Sequence, residues 1–392
     1  MSKSPLIAAD ADRWIVCAGS VQAEASHPAI AGQRNETREE GIACHKIAME
    51  MLRSYQDPNA TILAASDYID TLSDNGVVIT VELMDSVLEY VNDVLEYCNA
   101  NGRMQHIKIE SRVNLEHIYP GMHGFCDCWD YNPDMMTLTI WEGKYGRTVV
   151  EPFENPQQTE YLTGIIKELG LTSPQIQNLF LEFRVVQPRA WHHEGTIRSW
   201  CFEYYQIAQV LDRLKNKALE SMSENPSCVP GPHCSGCNAR DRCGALTRAG
   251  HIAMNVAMGV EDATLNGAEL GYELSTVDYM VSILKARKTG LEEQAKALIK
   301  SGKSTVPGWD IQQGYGRQRW IKSKPISEII EEAELLYDFQ MAKLTADCTP
   351  KQAITRGLDP DFVEMYSETP LGELKLMQDD GSKARQAFGK KQ

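Results

Sequence analysis

The sequence lacks any long apolar run. No stretch approaches the about 18 consecutive apolar residues that a membrane-spanning helix needs. The first residues, MSKSPLIAADADRW, also lack the basic-then-apolar pattern of a secretory signal. We therefore expect a soluble protein of the cytoplasm without a membrane partner.

Positive charge is also scarce. Lys and Arg number 39 against 54 Asp and Glu, which gives a formal net charge of −15. This balance argues against a protein coated in basic residues for non-specific nucleic-acid binding. Nine of the fifteen net negative charges belong to residues 54–102, where no Lys or Arg occurs. A local basic groove elsewhere in the chain is therefore not excluded.

The hydrophobic pattern alternates between helical and strand-like segments. Helical spacing predicts a helix over 38–54 and an amphipathic helix from Met84 to Cys98 whose acids face solvent. Three short strands are predicted within 105–144, followed by a helix at 154–170, a strand at 181–191 and a helix at 197–222. Strands flanked by helices at both ends favour a mixed α/β (α+β) core.

Cysteine is not scarce, and its spacing is the strongest local signal. Eleven cysteines in a cytoplasmic protein should be mostly reduced, so a tight group indicates metal rather than disulfides. A loop rich in Pro and Gly carries Cys228, Cys234, Cys237 and Cys243. These four could form a closed zinc site. Cys17, which stands alone near the N-terminus, could instead be a distant fourth ligand.

A second pattern of residues lies on the predicted strands. Glu142 and Lys144 are two residues apart, so they project from the same face of one strand. Asp127 on the neighbouring strand would complete a carboxylate pair able to hold a divalent metal. Lys144 would orient or help to deprotonate an attacking water, and the metal would stabilise charge on a phosphate. Each motif alone is weak, and a surface ion pair is the usual alternative.

Two helices add polar residues in the same order along the chain. His45 lies on the first long helix, and Gln157 and Tyr161 are one helical turn apart. A lone histidine on a helix is more often structural than catalytic, and a Gln and a Tyr on one face are usually surface residues.

Taken together, these motifs resemble a known family. EGxxxH at 40–45, GxxD at 124–127, ExK at 142–144 and QxxxY at 157–161 resemble the RecB-type nucleases of the PD-(D/E)XK superfamily. One early cysteine followed by CxxCx5C is similar to the iron–sulfur, AddB-like branch of those nucleases. RWxxCxGS at 13–20 and the late VPGW segment are similar to phage-encoded exonuclease-like proteins.

The resemblance implies a restriction-endonuclease-like core sheet and a role for each matching residue. His45, Asp127 and Glu142 would bind Mg²⁺ or Mn²⁺ together with the Gly143 carbonyl, and Lys144 would be the catalytic lysine. Gln157 and Tyr161 would contact the DNA backbone or hold the helix, and Glu110 is an additional acid near the metals. A [4Fe–4S] cluster would be bound by Cys17, Cys234, Cys237 and Cys243. Cys228 has no place in that pattern, so a local four-cysteine zinc site stays open.

The resemblance also implies an activity and a domain organisation. We expect a metal-dependent DNA exonuclease that resects linear ends for a single-strand annealing partner. The alternatives are a non-catalytic DNA-binding or assembly protein and a zinc-stapled endonuclease. The nuclease domain would span 1–250, including an acidic helical insertion at 54–102 and the cysteine cluster at 228–243. A mainly helical region would follow at 251–392.

Overall fold

The computed structural model describes residues 6–26, 36–258, 266–315, 318–321, 324, 326–338, 349–355 and 357–378. The chain divides into two compact units, 1–284 and 285–392, and the division falls within a long helix. The boundary drawn from the sequence at 250/251 lies within the helix before it.

The first unit is built on a five-stranded mixed sheet in the order β1-β2-β3-β4-β5. The strands are β1 (Lys108–Asn114), β2 (His123–Asn132), β3 (Thr137–Gly143), β4 (Phe180–Val186) and β5 (Ile197–Glu203). All neighbouring pairs are antiparallel except β3 and β4. A parallel pair needs a crossover, which the helical segment between β3 and β4 supplies. The prediction of three consecutive strands within 105–144 is confirmed.

Helices cover both faces of this sheet. Those of the first unit, in chain order, are α1 (Ala11–Trp14), α2 (Ser20–Ala25), α3 (Glu36–Gln56), α4 (Val81–Asn101), α5 (Pro156–Leu169), α6 (Ser173–Gln177), α7 (Ala208–Ser221), α8 (Gly244–Met258) and the start of α9 (Gly267–Lys300). α3 and α4 pack on the face that includes Trp141, whereas α1, α5 and α7 pack on the face that includes Ile140. Successive residues of a strand point to opposite faces, so Ile140 and Trp141 enter different cores. The predicted helices at 38–54 and 154–170 are confirmed.

The prediction of a helix over 197–222 is wrong in its first third. Residues 197–203 form β5, and only 208–221 form the helix α7. Arg198, Trp200 and Phe202 turn toward the protein, while their neighbours are exposed. The inward set has the strand period of two, but it includes an arginine. Because arginine is charged, a search for alternating apolar residues does not detect this strand.

Most acids of the segment 54–102 are exposed, as expected, but one acid of its helix lies in the core. Thr80 caps α4 by accepting a hydrogen bond from the Leu83 N–H, and Gly102 ends it in the left-handed conformation. Asp93 is 6% exposed, so the expectation that every acid of this helix faces solvent is wrong. Its carboxylate accepts hydrogen bonds from the indole of Trp141 at 3.0 Å and from Arg184. A buried carboxylate is retained only with such partners.

The second unit adds helices and two short strand pairs. After the end of α9 come β6 (Trp309–Tyr315), β7 (Arg319–Trp320), α10 (Ile326–Tyr337), α11 (Pro350–Thr355), α12 (Pro360–Tyr366), β8 (Ser367–Glu368) and β9 (Leu371–Gln378). β6 pairs with β9, and β7 with β8. A small core joins α10 to α12 through Ile329, Ala333 and Phe362. The predicted mixed α+β fold with a helical C-terminal region is confirmed. No helix in the described segments is long and apolar enough to cross a membrane.

Candidate active site and cysteine cluster

Two carboxylates meet on adjacent strands of the first unit. Asp127 lies on β2 and Glu142 on β3, and the antiparallel register that pairs Cys128 with Trp141 places them opposite each other. Asp127 is 7% exposed and Glu142 is 3% exposed. The Gly143 N–H donates to Asp127 Oδ2 at 2.8 Å. The fold therefore brings together the carboxylate pair predicted from the sequence.

Glu142 is held in a strongly perturbed environment. Burial raises the pKa of Glu142 to about 7, and the charge of Asp127 adds to the rise, while Lys144 and His45 oppose it. Its Oε1 lies 2.7 Å from Lys144 Nζ. Its Oε2 is buried and has no hydrogen-bond partner among the described residues. An unsatisfied buried carboxylate oxygen needs a further partner, and a cation would supply one.

Lys144 bridges the carboxylates and α5. Its Nζ donates to Gln157 Oε1 at 2.9 Å in addition to contacting Glu142. Burial alone would lower the pKa of Lys144, but Glu142 and Asp127 outweigh it and raise that pKa. The ammonium group therefore stays charged near neutral pH. It can hold a phosphate or a water, but it is not poised to accept a proton.

His45 and Glu110 approach from the helix and strand on the other side. His45 on α3 has Nδ1 at 3.6 Å from Asp127 Oδ1 and Nε2 at 3.9 Å from Glu110 Oε1. The register of β1 and β2 places Glu110 opposite Asp127, and its carboxylate pairs with Arg53 at 2.6 Å. Glu110 has φ of +44°, an uncommon conformation for a residue other than glycine. The strain coincides with the residues predicted to bind metal.

α5 positions Gln157 and Tyr161 over the carboxylates. Asn155 caps the helix by accepting from the Gln158 N–H, and the Gln158 amide donates to the carbonyls of Ile140 and Arg184. Gln157 Nε2 in turn donates to the Tyr161 hydroxyl at 3.2 Å. Tyr161 is buried, contrary to the usual placement of such a residue at the surface. The two side chains therefore support Lys144 from one helical face.

Gly124 explains why the GxxD motif begins with glycine. A Cβ at this position would lie 2.5 Å from Tyr161 Cε1 and 3.0 Å from the Ala8 side chain. Neither contact could persist without movement of the tyrosine ring or the backbone. Because Gly124 has no side chain, the ring of Tyr161 can pack directly against β2.

These residues line one cavity of about 600 Å³. Its wall includes His45, Gly124, Asp127, Glu142, Gly143, Lys144, Gln157 and Tyr161. Motifs separated by more than a hundred residues in the chain thus share one space. The oxygen donors with one histidine suit a hard divalent cation such as Mg²⁺ or Mn²⁺.

The cysteines form a second group, between the N-terminal segment and the loop after α7. Cys17, Cys234 and Cys237 are buried and Cys243 is partly buried. Each sulfur accepts a hydrogen bond from a backbone N–H; the donors are Val229 for Cys17, Gly231 for Cys234, Ala239 for Cys237 and Leu246 for Cys243. Such N–H···S contacts are typical of thiolates that ligate iron–sulfur clusters. The chemistry of this donor set therefore fits such a cluster.

Cys228 lies beside the same group. Its thiol is within hydrogen-bonding reach of Cys17 and Cys243. A Cβ on Gly19 would lie 2.4 Å from its sulfur. Among the described residues, no group of three or more His, Cys, Asp or Glu side chains is arranged to hold a metal ion as it stands, and this covers both the cysteines and the carboxylate cavity.

A family model described as "Protein of unknown function (DUF2800)" matches residues 4–376. The chain belongs to this DUF2800 family. The match covers every element described above except the last residues of β9. The family description states no activity.

Several residues in or behind the cavity wall of this DUF2800 chain were not predicted from the sequence. Arg38 and Tyr145 line it directly. Tyr90 on α4 contacts the other side of Gly143, where an added Cβ would lie 3.2 Å from its ring. Tyr90 was not part of the apolar face predicted for α4, but it lies three residues after Val87 and four before Val94, so helical periodicity could have indicated its burial. Nothing in the spacing of Arg38 or Tyr145 points to this wall.

Proposed function

We propose that this chain is a metal-dependent nuclease that hydrolyses phosphodiester bonds of DNA and acts on linear ends as an exonuclease. The observation that carries the proposal is the convergence of Asp127, Glu142 and Lys144 in one cavity. Glu142 Oε2 lacks a partner there. The resemblance to RecB-type nucleases supports the same assignment.

The chain's own residues have distinct tasks in this proposal. His45, Asp127 and Glu142 would hold the divalent cation, with the Gly143 carbonyl as a further oxygen donor. A cation held there supplies Lewis acidity and neutralises charge that builds up on the phosphate. Lys144, kept protonated by the two carboxylates, would hold the attacked phosphate or orient the water. Gln157 fixes the position of the Lys144 ammonium, and Tyr161 fixes Gln157.

Removing Glu142 or Lys144 tests the proposed site. We expect Glu142→Ala and Lys144→Ala each to lower Mg²⁺- or Mn²⁺-dependent degradation of end-labelled linear DNA by about a hundredfold or more. Matched controls are Glu168→Ala and Lys167→Ala, on exposed positions of α5 outside the cavity. Circular DNA of the same sequence should resist degradation. Equal activity of the site and control variants would contradict the assignment.

We further infer that the cysteine group binds a [4Fe–4S] cluster through Cys17, Cys234, Cys237 and Cys243, in a structural role. The four backbone N–H···S contacts support this set, and Cys228, whose thiol lies within hydrogen-bonding reach of Cys17 and Cys243, is the alternative ligand. Anaerobic purification should give a brown protein that absorbs near 400 nm and contains iron and sulfide. A colourless protein with stoichiometric zinc would contradict the cluster.

The resemblance to phage-encoded exonucleases extends the proposal to a biological role. Resection of linear ends would expose single strands for an annealing protein in the host cytoplasm. Co-purification with a single-strand annealing protein, and faster annealing of resected ends in its presence, would test this role.

A further inference from the structure

Three large apolar side chains are exposed at the wall of the candidate active site. Ile7 precedes a 3-10 turn at Ala8–Asp10, Ile42 lies on α3 and Phe125 lies on β2, and all three line the cavity. They are 47%, 47% and 53% exposed. Three separate elements thus place apolar surface beside a strongly charged site.

Phe125 has a defined relation to the carboxylates. It lies two residues before Asp127 on the same strand, so both side chains project from one face. Its ring is edge-on to His123, with 6.2 Å between the ring centroids, and His123 also lines the cavity. The two rings form an aromatic ledge next to the site of proposed cleavage.

The charges of the cavity narrow the kind of ligand that this ledge can receive. Arg38 and Lys144 also line the wall and provide cationic groups. A ligand that contacts both features carries an anionic group next to a flat apolar group, as a nucleotide with an unstacked base does. Bases of an intact duplex are stacked inside it, and the phosphates and sugars form its outer surface. Unpaired bases, by contrast, stack on aromatic side chains of the protein.

We propose that Phe125, flanked by Ile7 and Ile42, receives unpaired bases, so that the preferred substrate is a single-stranded or frayed DNA end. This inference rests on the proposed nuclease function for the identity of the ligand. It adds the strand preference, which neither the motifs nor the family match supplies.

Binding of short DNAs in Ca²⁺ tests the ledge without turnover. The probes are a labelled 12-nucleotide single strand and a blunt 12-base-pair duplex closed by a hairpin. By fluorescence anisotropy, we expect Phe125→Ala to weaken binding of the single strand about tenfold and binding of the duplex less than twofold. Phe125→Trp should retain binding of the single strand. The matched control is Phe180→Ala, because Phe180 is an exposed phenylalanine of the same sheet outside the cavity.

A terminal 2-aminopurine gives a second readout. Its fluorescence should be quenched on binding to the wild-type protein and restored by Phe125→Ala. If the wild type binds the single strand and quenches the 2-aminopurine but does not cut the strand with Mg²⁺ or Mn²⁺, the nuclease proposal is contradicted. The proposal that Phe125 receives unpaired bases is then retained. If the wild type cuts DNA but Phe125→Ala weakens both probes equally or neither, the ledge is overturned alone. A wild type that neither binds nor cuts the strand overturns both.

Discussion

Glu160 is an ionisable residue in a buried environment. It lies on α5 one position before Tyr161, its side chain is fully buried, and neither carboxylate oxygen has a hydrogen-bond partner in the described part of the chain. Burial raises the pKa of Glu160 well above its usual range. The folded protein therefore retains a proton that the unfolded chain releases.

This proton makes stability depend on pH in a defined direction. Because the folded pKa lies above the unfolded value, the contribution of Glu160 is fully present below about pH 4.5. It is lost as pH rises toward the folded pKa, by up to about 1.4 kcal/mol per pH unit. Glu160→Gln removes the ionisation, so its free energy of unfolding should exceed that of the wild type by a margin that grows between pH 5 and 8. Urea titrations at several pH values measure this margin. A margin independent of pH would contradict a raised pKa of Glu160 in the folded protein.

At this scale the sequence predicts which residues of the candidate site lie together better than it predicts which charged residues are buried. The acid, acid and lysine at 127, 142 and 144 were predicted as a group because a strand's period of two fixes which residues share a face. The burial of Glu160 and Asp93 was not predicted, since charged residues usually lie outside. Only the tertiary packing shows that Arg184 and Trp141 accommodate Asp93.

At the scale of elements, one side chain holds the connection between β3 and α5. Gln187, fully buried after β4, donates from Nε2 to the carbonyls of Gly146 and Thr148 at 3.0 and 2.7 Å. Its Oε1 accepts from the Val150 N–H and from Arg198. The hydrogen bonds of Gln187 therefore fix the connection that runs from Lys144 to the helix carrying Gln157.

Gln187→Ala should loosen this connection. Four hydrogen bonds would be lost, each with a net contribution of about 1 kcal/mol, so we expect a destabilisation of roughly 2–4 kcal/mol. Limited proteolysis should show faster cleavage within 146–150, and urea unfolding should give the energy. Gln177→Ala, at an exposed position of α6, should change neither. Unchanged proteolysis in the Gln187 variant would show that the loop is held by other contacts.

Strong hydrophobic periodicity made most helices and strands predictable. Strand β5 was not predicted, because its inward-facing residues include Arg198. On α3, the residues Ala43, Ile47, Ala48, Met51 and Leu52 repeat at helical spacing and are buried as that spacing predicts. β5 was missed because Arg198 occupies an inward position where a strand pattern requires an apolar residue. Its burial depends on Gln187 and on the carbonyls of Gly195 and Val150, which are separated from it along the chain or across a turn.

At the scale of the first unit, its two ends are fastened together. Arg13 donates to the Gly236 carbonyl at 3.1 Å, and the Gly19 N–H donates to the Ser227 carbonyl at 2.8 Å. The Asn238 N–H donates to Glu24 Oε1 at 2.8 Å. The cysteine group lies between the same two segments, so the proposed cluster would reinforce contacts that the protein already makes.

If the proposed cluster is bound there, its loss should destabilise the first unit. We expect Cys17→Ser, or removal of the metal by a chelator, to abolish absorption near 400 nm and to lower the Tm by about 5 °C or more. Cys201→Ser is the matched control, because Cys201 is an exposed thiol on β5. A Cys17 variant with unchanged absorption and Tm would instead assign the fourth ligand to Cys228.

The fastening of the two ends also sets an order of events during synthesis. Leu6, Ile7, Ala8 and Ala9 form part of the cavity wall, and the segment that follows them is bonded to residues 221–238. Translation proceeds from the N-terminus, so the first wall residues leave the ribosome long before their anchors. The hydrogen bonds that join the N-terminal segment to residues 221–238 can therefore form completely only after residue 238 has emerged.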